Sequence, residues 1–163
     1  MAIVSSRGLF FLAALVCGGL TGFSLFLQHV QGLEPCPLCI SQRIAVLSLG
    51  VITLLAGLHN PGAKGFKVYA GLVTLLGMAG MALASRQIWI QHLPPEKAPT
   101  CMPGLEYLVD ILPFTDLVTI MLTGTGDCAQ VQWAFLGLSI PGWTLITFVG
   151  FTVFGLFEWL MKR

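Results

Sequence analysis

Charge is what this sequence has least of. Lys, Arg, Asp and Glu together make up 9% of its 163 residues, while apolar residues make up 56%. Soluble domains carry about 25% charged residues and about 45–50% apolar ones. A water-soluble fold of this length, so diluted in charge, would expose large apolar patches, and that class is excluded. The net charge of +1 leaves no basic footprint for nucleic acid. A second closely spaced cysteine pair is also missing: only Cys36 and Cys39 are separated by two residues. Structural zinc sites favour ligands in such pairs, so no metal site is assigned.

The few charges mark out the spans. Uncharged runs of 26 residues separate Arg7 from Glu34, 20 separate Arg43 from Lys64, 18 separate Lys67 from Arg86, and 30 separate Asp127 from Glu158. About 20 helical residues, at about 1.5 Å each, cross a hydrocarbon core about 30 Å thick. In lipid every backbone N–H must be satisfied within its own segment, so such runs are helical. Helices are expected near 8–27, 40–58, 68–90 and 141–161, forming one four-helix membrane unit over 1–163. The first run is long and uniformly apolar, which points to a retained anchor rather than a cleaved signal.

Lys and Arg orient the bundle. Arg7, Lys64, Lys67, Lys162 and Arg163 fall on one side, and Arg43, Arg86 and Lys97 on the other. The positive-inside rule places both termini and the loop around 59–67 in the cytoplasm. Trp89 and Trp143 then fall at the outer interface and Trp159 at the inner one. Four of the five cysteines land outside, where disulfides persist. Cys17, in mid-span among Leu15, Val16 and Leu20, reads as a small packed hydrophobe.

Cys36-Pro37-Leu38-Cys39 stands where a turn enters the second helix. Proline suits the first helical turn, whose N–H groups lack partners anyway. The positive end of the helix favours a thiolate at Cys39, and the thiolate is the reactive form. Arg43, four residues on, shares that helical face and adds fixed positive charge, or else snorkels to the interface. Cys101 and Cys128 lie 27 positions apart in a loop spanning roughly 91–140. Two readings of that pair stand: a structural disulfide closing the loop, or one that exchanges with the tight pair. Within the loop, 105–112 and 114–122 are apolar runs too short to span, and the second suits a short interfacial helix. His29 and His92 fall at outer helix ends, near the depth of Cys39, where either side chain can reach a carbonyl at the interface.

The strings Phe26-Leu27-Gln28-His29-Val30, Pro35-Cys36-Pro37-Leu38-Cys39-Ile40 and Gln42-Arg43 resemble the first outer loop of the DsbB family, bacterial inner-membrane thiol oxidases. Asp127-Cys128-Ala129, Gln132-Trp133, Phe135-Leu136-Gly137-Leu138, Pro141 and Trp143 resemble that family's approach to its fourth helix. With Cys101 and the four spans, the likeness covers nearly the whole chain. Gln42 departs from it, since many relatives carry an acid before the arginine. The resemblance implies an enzyme that reoxidises a soluble periplasmic DsbA-like partner of thioredoxin fold and passes the electrons to membrane quinone, ubiquinone or menaquinone. By position, Cys101 is the sulfur attacked by the partner and Cys128 its disulfide mate. Cys36 engages that shuttle pair, Cys39 faces the quinone, and Arg43 and His92 stand near the quinone ring.

The sequence admits two other readings. Quinone reductases of the vitamin K epoxide reductase type also set a C-x-x-C in a four-helix bundle, but late in the chain, where this one precedes the second helix. A tetraspan scaffold with structural disulfides has no use for a Pro-containing C-x-x-C beside an arginine. A thioredoxin-like partner trapped on a Cys128→Ser variant separates it from the oxidase.

Overall fold

The computed structural model describes residues 6–97, 99–101, 107 and 110–161. Lys162, Arg163, Pro103, Gly104 and half of the 105–112 run lie outside them. The fold is an all-α, four-helix membrane bundle. Its spans are α1 (Ser6–His29), α2 (Pro37–His59), α3 (Ala63–Gln91) and, after the long loop, a last helix, Ile140–Met161, numbered α5 below. Each is a little longer than the range expected for it, and charged residues stand inside the ends of α3. α3 takes in Lys64, Lys67 and Arg86 within its 29 residues. At about 1.5 Å per residue it reaches ~44 Å, beyond a ~30 Å core, so those charges stay near its ends.

Sequence sets where the helices stop. α2 ends at Asn60, whose left-handed backbone (φ 43°) returns its N–H to the Ala56 carbonyl. Asn tolerates this conformation better than most residues, and Pro61-Gly62 then lets α3 begin at once. Packing runs from α1 to α2, α2 to α3 and α3 to α5. Between lipid-exposed helices no hydrophobic force drives association, so close approach falls to small residues. Gly77 and Gly155 meet Thr152 and Thr74 across the α3–α5 seam, and Gly80 lies against the Phe148 ring. Thr74 and Thr152 return their hydroxyls to Ala70 and Phe148 carbonyls, so each hydroxyl is satisfied within its own helix. Large apolar side chains such as Leu15, Leu75 and Leu160 point outward, as bilayer-facing surfaces require.

α1 and α5 touch near the chain termini, where the Phe10 and Phe154 rings meet edge to face at 5.2 Å. Toward the cysteine end they diverge, and that gap is the groove described below.

The long loop holds α4 (Phe114–Thr123), where the sequence suggested a helix over 114–122, and short 3-10 turns at Pro95–Lys97 and Gly126–Ala129. α4 buries none of its own residues, yet its end is tied down. Ser41 Oγ donates to the Met121 carbonyl at 2.7 Å and Arg86 Nε to the Thr123 carbonyl at 3.3 Å. Gly124 then turns at φ 82°, and a Cβ there would meet Leu38 Cδ1 at 2.6 Å. A two-strand hairpin, β1 (Ala134–Phe135) and β2 (Leu138–Ser139), was not foreseen. Leu136 (φ 53°) and Gly137 (φ 80°) form its tip. Positive φ at both central residues matches the twist of paired strands, and Trp143 Nε1 locks the hairpin by donating to the Phe135 carbonyl at 3.1 Å.

Candidate active site

The site is built on the start of α2. Cys36 is the N-cap residue, Pro37 the first helical one, and the Cys39 N–H donates to Cys36 Sγ at 3.4 Å. Cys36 thus does with sulfur what serine usually does at this position. One helical turn separates the two cysteines, and their sulfurs lie 2.9 Å apart, with Cys36 donating. All five cysteines are unbonded thiols here.

The third sulfur comes from far along the chain. Cys128 sits in the turn Gly126–Ala129, fully buried against Cys36, Leu38 and Ile90. Its sulfur accepts hydrogen bonds from the Cys36 thiol and from the backbone N–H groups of Leu38 and Thr125. Together these outweigh burial and lower its pKa to about 6. The Leu38 N–H belongs to the first turn of α2, so the helix terminus serves Cys128 as well as the tight pair. Cys36, whose one thiol proton is shared between the Cys128 and Cys39 sulfurs, is held well above the usual thiol range, and burial adds to that.

Cys101 differs on every count. It is exposed and lies beside Gly126, where a Cβ would come within 2.9 Å of its sulfur. The Gly126 N–H donates to the Thr100 carbonyl at 3.1 Å. The Asp127 carboxylate beside it raises the Cys101 pKa. Asp127 itself accepts from Thr125 Oγ1 at 3.2 Å.

Beside the tight pair opens an apolar groove of about 650 Å³. One wall is α1 (Phe23, Ser24, Leu27, Gln28), the floor is α2 (Cys39, Gln42, Arg43), and the far wall is Trp133, Phe135 and α5 (Trp143, Thr144). The aromatic rings run in series from Phe23 through Trp133 and Phe135 to Trp143, with centroids 5.9–6.2 Å apart. Arg43 Nη1 donates to Gln28 Oε1 at 2.6 Å, while its Nε is buried with no hydrogen-bond partner. A small second cavity, about 20 Å³, touches Cys36, Cys39 and Asp127 from the loop side.

Of the residues singled out from sequence, Cys36, Cys39 and Cys128 come together and Arg43 shares the groove with Cys39. Cys101 stands beside the Cys128 turn, exposed. His92 is the C-cap of α3 and exposed, with Nδ1 2.8 Å from the Ile88 carbonyl, and it does not line the groove. Sequence reasoning missed Gln87, whose Nε2 donates to Cys39 Sγ at 3.2 Å and Cys36 Sγ at 3.4 Å. Behind it stand Gln42, noted from sequence only as a departure from the family pattern, and Thr144, which was not singled out. The available signal was an uncharged polar residue inside an apolar span, which membrane helices rarely carry idly.

A membrane bundle that gathers three thiols at one helix start, with a fourth exposed beside them, defines a membrane-embedded thiol–disulfide oxidoreductase. Residues 6–157 match the family described as Disulfide bond formation protein DsbB. The chain is 53% identical over 163 residues to disulfide bond formation protein B of Hahella chejuensis, covering 99% of this chain and 98% of that one. It is 46% identical over 159 residues to the Methylococcus capsulatus protein of that name (98% and 97% covered). To disulfide bond formation protein B 1 of Pseudomonas aeruginosa it is 43% identical over 162 residues (99% of each). This chain belongs to the DsbB family.

Proposed function

We propose that this protein lies in a bacterial inner membrane with its cysteine end in the periplasm, reoxidises a DsbA-like thioredoxin-fold partner, and delivers the electrons to membrane quinone. The observation that carries the reading is the sulfur cluster opening, through Cys39, onto the apolar groove floored by Arg43. The groove volume of about 650 Å³ lies in the usual range for small-molecule sites. The buried Arg43 Nε without an acceptor is a donor suited to a quinone carbonyl. A quinone held there supplies an acceptor for two electrons and two protons. The chain's own residues bind and orient the reactants and order the sulfur exchanges.

The order follows from exposure and acidity. In the oxidised protein a partner thiolate attacks Cys101 Sγ, the accessible sulfur. The Cys101–Cys128 bond breaks and Cys128 leaves as a thiolate. Departure is faster for the more acidic thiol, and the Leu38 and Thr125 N–H groups that favour the Cys128 thiolate are still there in the oxidised protein. Cys128 already touches Cys36, so it attacks Cys36 Sγ of the Cys36–Cys39 disulfide and releases Cys39 as a thiolate on the groove floor. The partner's second thiol then resolves its mixed disulfide with Cys101, leaving the partner oxidised. The freed Cys101 thiolate attacks Cys128, restoring Cys101–Cys128 and leaving Cys36 and Cys39 as the reduced pair beside the groove. Arg43 holds a positive charge where negative charge develops, and groups so placed contribute about 10²–10³ in rate.

The test is anaerobic mixing of the purified protein with reduced partner and quinone, reading quinol formation in each cysteine variant. Cys36→Ser and Cys39→Ser are expected to stop quinol formation while Cys101 still forms the mixed disulfide. Arg43→Met is expected to slow it about 10²-fold. Normal turnover by Cys39→Ser would overturn the assignment of that sulfur. Quinol formation without any mixed disulfide at Cys101 would overturn the exchange order.

A further inference from the structure

The groove wall and the sulfur cluster are joined by a string of uncharged polar side chains. The Thr144 hydroxyl makes a short hydrogen bond to Gln42 Oε1 and lies 3.0 Å from the Pro141 carbonyl. Gln42 Nε2 donates to Gln87 Oε1 at 2.7 Å. Because that oxygen is taken, Gln87 turns its Nε2 to the sulfurs, at 3.2 Å from Cys39 and 3.4 Å from Cys36. Both glutamines are 3% exposed. Buried amides that are fully satisfied hold a fixed arrangement, and each link polarises the next.

The polarity of this string is set by its hydrogen-bond partners, since amide nitrogen and oxygen occupy nearly the same space. With N–H toward sulfur, it suits a thiolate, which only accepts. With both amides turned over, the Gln87 carbonyl faces sulfur, and Cys39 Sγ already lies 3.7 Å from Gln87 Oε1, within reach for a thiol donor. The end of the string permits either sense: Thr144 gives its hydrogen to Gln42 in one and to Pro141 in the other, accepting from Gln42 Nε2 in the latter. Neither arrangement strands a buried amide group, so the string follows the protonation of Cys39 without a desolvation penalty.

We propose that Gln87 is a catalytic residue whose amide N–H stabilises the Cys39 thiolate, and that Gln42 is the positioning residue that aims it. The importance of that thiolate rests on the function proposed above. The hydrogen bond itself does not, and it is measured without quinone or partner.

The experiment uses the full-length chain in detergent, quinone-free, with Cys39 as its only cysteine, and follows thiolate ultraviolet absorbance against pH. The groups facing Cys39 in the native protein are Cys36 and Cys128, Asp127 on the loop side, and Arg43 and Glu34 along the groove. Arg43, Glu34 and Asp127 are kept throughout, so differences between variants report the amides. Gln87→Met, similar in length but without a donor, is expected to move the midpoint up by about one to two pH units, or about 10–100-fold less thiolate below it. Gln42→Met leaves the donor present but unaimed, and a smaller upward shift is expected. A purely structural role for Gln87 changes the melting temperature and not the midpoint. An unchanged midpoint in folded Gln87→Met overturns the proposal. Should that variant not fold, an unchanged midpoint in Gln42→Met does so instead.

Discussion

The two cysteines of the long loop sit in opposite electrostatic settings, and each is the reverse of what burial alone produces. Cys101, exposed to water, is kept protonated by Asp127. Cys128, fully buried, is drawn toward its thiolate by Cys36 and by backbone N–H groups. Desolvation opposes charge at a buried thiol, so hydrogen bonds must win at Cys128, and the start of α2 supplies one of them. The contrast teaches that pairing along the chain is not grouping in space. Cys128 belongs with Cys36 and Cys39, and Cys101 is the solitary sulfur presented outward. A partner therefore meets a thiol that is poor as an attacking nucleophile but open to attack once it is part of a disulfide.

Removing one member breaks the comparison most severely. Cys128→Ser is expected to abolish turnover, by at least about 10³-fold, and to accumulate an intermolecular disulfide at Cys101 with the partner, read on non-reducing gels. The same change should remove one step from the thiolate absorbance of the reduced protein. That step belongs to a group with a lowered pKa, so the thiolate is present above a midpoint of about 6 and lost as the pH falls through it. A step of undiminished size in Cys128→Ser would reassign it.

Loosening the burial should make the two sulfurs more alike. Gly124→Ala places a methyl group against Leu38 at a φ of 82°, a conformation side chains rarely adopt, and overpacking of this kind costs about 1–3 kcal/mol. Cys128, shielded in the parent, is expected to alkylate about tenfold faster in this variant. A smaller effect comes from the other member. Asp127→Asn removes the charge that raises the Cys101 pKa, so Cys101 alkylation near neutral pH should rise a few-fold. An unaltered rate would mean that the carboxylate does not act on that thiol.

How much of this was legible depends on whether the signal is local. The four spans were, because twenty uncharged residues have few other uses, and their ends were underestimated where α3 carries Lys64, Lys67 and Arg86 inside the helix. Cys39 and Arg43 share a groove because four residues make one turn. The nearness of Cys128 to Cys36 is a tertiary fact that spacing does not encode, and it entered only through the family likeness. Gln42 and Gln87 are 45 positions apart, so their contact is not written in spacing, and Gln87 carries no charge to draw notice. The hairpin was hidden because Leu136 occupies a position where asparagine or aspartate usually announces the turn.

The parting of α1 and α5 has a consequence for how the two reactants are found. Closed where Phe10 meets Phe154 and open at the cysteine end, the bundle has a lateral mouth, whereas Cys101 is exposed on the loop outside it. Under the proposed function one reactant searches a plane and the other a volume. Diluting the protein with lipid thins the planar pool and leaves the aqueous one untouched, so the two encounters can be slowed independently.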